Sequence, residues 1–160
     1  MRPFAIATAL IATAVAAAPA IARDTIGVWN RWAAFSDASP RRCFAIAQPV
    51  DPDYRAGFAS VSNWPGQNIR SQFHIHLSRG RAGNARVTLS IGERRFELMA
   101  GTDDAWAPDS RTDAAIVAAM RSGRSMSVEG LGRDGSAFAD VYALSGSATA
   151  IDAAALACRQ

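Results

Sequence analysis

The chain has 160 residues, 17 of them basic and 14 acidic, which gives a formal net charge of +3 at neutral pH with histidine uncharged. Every basic residue is arginine, and these are interleaved with acids rather than gathered into a stripe beside aromatics, which argues against a nucleic-acid partner. With 49% apolar residues the chain can build one real core, but it is too short for several domains.

The N-terminal segment reads as an export signal. Arg2 gives a positive start, Phe4 to Ala18 is an uncharged apolar run, and Ala20-Ile21-Ala22 has the small-x-small form that signal peptidase accepts. The run falls short of the roughly 20 residues a membrane helix needs. Residues 1–22 are therefore expected to be a removed signal peptide, with uncleaved anchoring as the alternative. No second apolar run approaches membrane length, so residues 23–160 are expected to form a single β-rich domain with no membrane span. The expected compartment is the periplasm, with the outer surface or the medium as further destinations.

From Thr25 to Ala100 the dominant period is two. "GVWNRWAAF", "RRCFAIAQ", "GFASVSNW", "SQFHIHLS", "ARVTLSIG" and "RRFELMAG" are short alternating runs. Ser39-Pro40, Pro49 to Asp53, Pro65-Gly66 and Gly80 to Asn84 punctuate them. Strands at such spacing argue for an antiparallel sandwich or barrel, and the expectation is a mainly β, antiparallel β-sandwich-like domain. Trp29 and Trp32, three apart in the first run, should then face opposite sides of one strand.

The period then lengthens. Ser110-x-x-Asp113 resembles a capping box, Ile116, Val117 and Met120 share a helical face, and Gly123 can end the helix. Strands resume at "SMSVEGL" and "FADVYALSG". A last helix, opened by Thr149-x-x-Asp152, carries Ile151, Ala155 and Cys158 on one face. Two short helices thus fall in the C-terminal half.

Candidate sites are few. In "SQFHIHLSR" the residues Phe73, Ile75 and Leu77 alternate with His74 and His76, so the histidines belong to a polar strand face. His-x-His can supply two metal ligands, and a third would have to come from elsewhere, for instance Glu93 or Glu97. Gly130-Leu131-Gly132-Arg133-Asp134-Gly135 spells G-x-G-x-x-G, but a strand-like run follows it where a nucleotide site needs a helix. Asp134-Gly135 is a hairpin turn signal. Asp51-Pro-Asp53 begins like a calcium loop but continues with Arg55. Asp103-Asp104 reads as a solvated loop before Trp106. No Gly-x-Ser-x-Gly elbow is present.

Trp64 and Trp106 stand beside prolines, and rigid aromatics of this kind serve either as plugs for the ends of a sandwich or as partner anchors. With His74 and His76 they are the candidate partner-binding residues. The cysteines, Cys43 and Cys158, are expected to form a disulfide in an exported protein, two buried thiols being the alternative. They lack the Cys-x-x-Cys spacing of a zinc site.

The order of these parts resembles the invasion-associated locus B family of exported Gram-negative bacterial proteins. The likeness lies in a tryptophan-bearing first strand ("VWNRWAAF"), a cysteine strand ("RRCFAIA") and the helix-strand-strand-helix tail "AAIVAAMRSGRSMSVEG … DVYALSGSATAID". It implies a β-rich periplasmic or surface protein, linked to host-cell invasion in pathogens, and it supplies no catalytic residues. The chain departs from the family in lacking mid-chain cysteines around a Pro-Phe-x-x-Cys stretch, so the family's disulfide pattern does not transfer. The expectation is a non-enzymatic binding or envelope-associated protein without cofactor, whose partner is a protein or another envelope component. The alternative is a metal-binding protein or metal-dependent hydrolase using His74 and His76.

Overall fold

The computed structural model describes residues 23–51 and 56–159. The expected signal segment and the Asp53–Arg55 part of the calcium-like run lie outside them.

Alternation at period two builds ten strands: β1 (Arg23–Trp29), β2 (Trp32–Asp37), β3 (Arg42–Ala47), β4 (Phe58–Trp64), β5 (Ile69–His76), β6 (Val87–Ile91), β7 (Arg94–Ala100), β8 (Asp104–Trp106), β9 (Ser125–Leu131) and β10 (Ala137–Ala143). They form one antiparallel sheet in the order β1-β2-β3-β4-β5-β8-β7-β6-β9-β10. The mainly β architecture read from the sequence is thus realised as a single curled sheet. Its concave face takes the small or apolar member of each alternation: Cys43, Ala45 and Ala47 from β3, Phe73 and Ile75 from β5, Val87 and Leu89 from β6. Each large side chain buried there contributes roughly 1.5–3 kcal/mol.

Two contacts draw the ends of the sheet together. Trp32, fully buried, donates from Nε1 to the Ala143 carbonyl at 2.8 Å, linking β2 to β10. Val50, just past β3, donates its backbone N–H to the Val141 carbonyl at 2.7 Å. Trp32 therefore plugs the structure from inside.

The run "GVWNRWAAF" is a hairpin and not one strand. Asn30 takes a positive φ of 54°, which asparagine tolerates better than most residues, and the chain reverses there. Trp29 and Trp32 become a directly opposed pair and so share a face, the reverse of the expectation for a single strand.

Both helices pack on the sheet. α1 (Ser110–Ser122) contacts β5 and β7, and α2 (Ser147–Ala157) lies across β1 to β4. Their starts differ from the sequence reading. The α1 cap is Asp109, whose carboxylate accepts from Thr112 N at 2.7 Å. Asp113 is instead turned inward, and its carboxylate accepts from Phe73 N at 2.7 Å. Phe73 lies one residue beyond the three-residue ladder between β5 and β8, so the aspartate satisfies an amide the sheet leaves open. The α2 cap is Gly146, three residues before the expected opening at Thr149, at φ 89°. A Cβ there would lie 2.1 Å from the Trp29 carbonyl oxygen, so the close approach of α2 to the β1–β2 hairpin requires glycine.

Cys43 and Cys158 are joined by a disulfide, with 5.7 Å between Cα atoms and 115 positions between them in sequence. It staples the end of α2 to β3, and chain-entropy accounting gives roughly 5 kcal/mol for closing so long a loop. The G-x-G-x-x-G letters form the β9–β10 hairpin, with Gly135 at φ 78° and Gly132 N bonded to the Ser136 carbonyl.

Candidate functional site: an aromatic groove on the convex sheet face

The residues that alternate out of the core meet on the convex face of β1 to β5 and β8. Strand register sets them in cross-strand rows about 4.8 Å per step. One row is Arg23–Asp37–Arg42. The next is Phe35–Phe44–Ser62–Gln72, and beside it Ile46–Ser60–His74–Trp106. A further row is Phe58–His76–Asp104. Trp64 ends β4 past a register shift next to the first row. Between these rows opens a cleft of about 420 Å³ lined by Arg42, Phe44, Phe58, Ser60, Ser62, Trp64, Gln72, His74 and Trp106 among others. That volume lies within the range of small-molecule sites.

The charged row is held together internally. Asp37, 6% exposed, accepts from Arg23 Nε at 2.7 Å and from Arg42 Nη2 at 2.9 Å. The hydrogen bond from Arg23 holds its carboxyl below the ordinary value; burial opposes this and the bond from Arg42 adds to it. Arg42 lies over Phe44 with its guanidinium carbon 4.0 Å from the ring centre, and 5.0 Å from that of Trp64. Cation–π packing of this kind fixes one wall of the groove.

The opposite wall is a stack of rings. His74 stacks on Trp106 at 5.1 Å with the rings inclined by 26° and meets Phe58 edge-on at 5.5 Å, while His76 stacks on Phe58 at 5.2 Å. Both imidazoles reach one oxygen of Asp104, His74 through Nε2 at 2.8 Å and His76 through Nδ1 at 2.9 Å. Burial pushes the Asp104 carboxyl up, but the bonds from His76 and His74 outweigh it and leave the group below its ordinary value. It is ionised at neutral pH and only accepts, so each of those two nitrogens carries a hydrogen. His74 Nδ1 is then an acceptor, with Ser60 Oγ at 3.4 Å. Burial holds His74 below the ordinary histidine value despite the aspartate.

Three of the four candidate partner residues, Trp64, His74 and Trp106, thus line one cleft, with His76 at its rim. The two tryptophans end strands rather than occupy loops, because Asp104–Trp106 forms β8 between β5 and β7. The carboxylate that meets the histidines is Asp104. Glu97 pairs instead with Arg86 at 3.7 Å, and Glu93 sits in the β6–β7 turn. Both histidine nitrogens converge on a single oxygen, a hydrogen-bonding arrangement. Among the described residues no group of three or more His, Cys, Asp and Glu is arranged to hold a metal ion.

Phe44, Phe58, Arg42, Ser62 and Gln72 escaped the sequence reading. The available signal was apolar residues at both phases of "RRCFAIA", where outward Phe44 and Ile46 are larger than inward Ala45 and Ala47. A second cleft of similar volume adjoins the disulfide, lined by Asn63, Asn68, Arg70, Ser71 and Arg159. It has no aromatic residue.

No family model matches the sequence, and no curated protein does. Among solved structures the chain is similar to the crystal structure of invasion associated protein B from Bartonella henselae, with a TM-score of 0.62 and 16% identity over 85% of this chain and 99% of that one. At such identity the likeness concerns the fold, and the two folds agree over nearly all of the Bartonella protein.

Proposed function

We propose that this chain is an exported, envelope-associated binding protein of the invasion-associated locus B type, non-enzymatic, which holds its partner in the aromatic groove. The observation that carries the reading is the convergence of Trp64, His74 and Trp106, spread over more than forty positions, on one open cleft. Rings packed against neighbours and charges already paired leave little for chemistry to activate and much for a partner to rest on. Fold likeness to an invasion-associated protein, the long-range disulfide and the signal-like N-terminus support placement in the periplasm or on the outer surface.

The test is affinity capture from envelope extract with the mature protein and a Trp64→Ala/Trp106→Ala variant side by side. A partner retained by the wild type and released by the variant supports the proposal. Equal capture by both contradicts it.

A further inference from the structure

We infer that the groove's ligand is a glycan whose sugar rings pack on the groove aromatics while their hydroxyls bond to Ser62 and Gln72; this rests on the groove reading above. Ser62 and Gln72 are register partners in the floor of the cleft. Neither makes a side-chain hydrogen bond among the described residues. Ser62 is 5% exposed, and the little surface it keeps includes its hydroxyl, which faces the cleft without a partner in the protein. A hydroxyl and an amide side by side offer both donors and acceptors, the pattern that a polyhydroxylated ligand satisfies. Trp64 and Trp106 line the same cleft, and flat apolar rings suit the C–H faces of pyranoses.

Charge and topology disfavour the competing classes. Two guanidinium groups, Arg23 and Arg42, line the cleft, and both are bonded to one carboxylate, Asp37. A nucleic-acid backbone needs a run of uncompensated cations along its path, and two arginines sharing one carboxylate leave a single net positive charge. An extended peptide commonly adds as a strand at a sheet edge. The cleft instead opens on the face of the sheet over β3 to β5 and β8, each of which has a strand on either side, and takes only Arg23 from the edge strand β1.

The experiment is titration of the mature protein, followed by tryptophan fluorescence and amide chemical shifts, with four probes. These are the N-acetylglucosamine trimer, cellotriose, maltotriose and a twelve-residue oligothymidylate, each to about 1 mM or above, the weak end of specific affinity. At least one trisaccharide is expected to bind saturably, shifting amides of β4 and β5. Its affinity should fall at least about tenfold in Ser62→Ala and Gln72→Ala, which remove small groups outside the core and leave the melting temperature unchanged. No saturable trisaccharide binding, binding indifferent to both variants, or binding of the oligothymidylate alone overturns the glycan assignment. The groove reading fails separately, when envelope capture is the same with and without Trp64 and Trp106.

Discussion

His74 Nε2 meets Asp104 Oδ1 at 2.8 Å, joining β5 to β8 across thirty positions of sequence. The contact sets the tautomer of the histidine, orients its ring against Trp106 and closes one wall of the groove. It also makes the domain sensitive to pH. His74 is held below the ordinary histidine value of about 6.5, chiefly by burial. Between the folded and unfolded values the unfolded chain binds more protons, so stability is full above about pH 6.5 and declines as pH falls toward the folded value. Asp37 and Asp104, both lowered, add a second loss below the usual carboxylate range. Melting curves from about pH 7.5 to 5.5 should show a falling midpoint in the wild type and a flatter profile in His74→Gln.

The disulfide predicts no titratable thiol in the denatured, non-reduced protein; finding two would contradict it. Reduction, or Cys158→Ser, should cost about 2–5 kcal/mol in urea unfolding, because α2 loses its staple to β3.

Gly146 and Gly135 form a matched pair. Both have positive φ, but a Cβ at Gly146 overlaps the Trp29 carbonyl while the space around Gly135 is open. Gly135→Ala should cost about 1–2 kcal/mol from backbone strain alone. Gly146→Ala should cost about 2–4 kcal/mol, since the hairpin must also move. Equal losses in denaturant titrations would show that α2 does not seat against the hairpin as described.

Asp113 offers a test of how β5 is completed. Asp113→Ala leaves the Phe73 N–H without its acceptor and should cost about 1–3 kcal/mol, measured by urea unfolding. Asp113→Asn keeps a carbonyl oxygen for that bond and relieves the buried charge whose desolvation raises the aspartate's pKa. It should therefore lose much less.

The sequence made some of this legible and hid the rest for identifiable reasons. Phe73, Ile75 and Leu77 announce their strand because one face must be apolar, and that alone set His74 and His76 on the other. The Cys43–Cys158 pairing followed from the expectation of export together with a count of two cysteines. Pairing across the sheet was not legible: nothing local in "DDAW" says that it forms β8, or that Asp104 stands opposite His76. The α1 start was misplaced by one residue because Asp109 and Ser110 can both cap, and tertiary contact with Phe73 claims Asp113; the α2 start was misplaced by three because its cap, Gly146, offers no side-chain signal. The hairpin in "GVWNRWAAF" was missed because Asn30-Arg31 lacks the usual glycine. In β3 both faces are apolar, so the alternation could not say that Phe44 belongs to a groove.

The central claim, that the convex groove of β3 to β5 and β8 is the partner-binding surface, is tested most directly by photocrosslinking in intact cells. A photoreactive residue is placed at Gln72 in the groove floor or at Glu129, an exposed position on β9 three strands from β8. An adduct formed from position 72 and absent from position 129 is the predicted result. Adducts from position 129 with none from position 72 would contradict it.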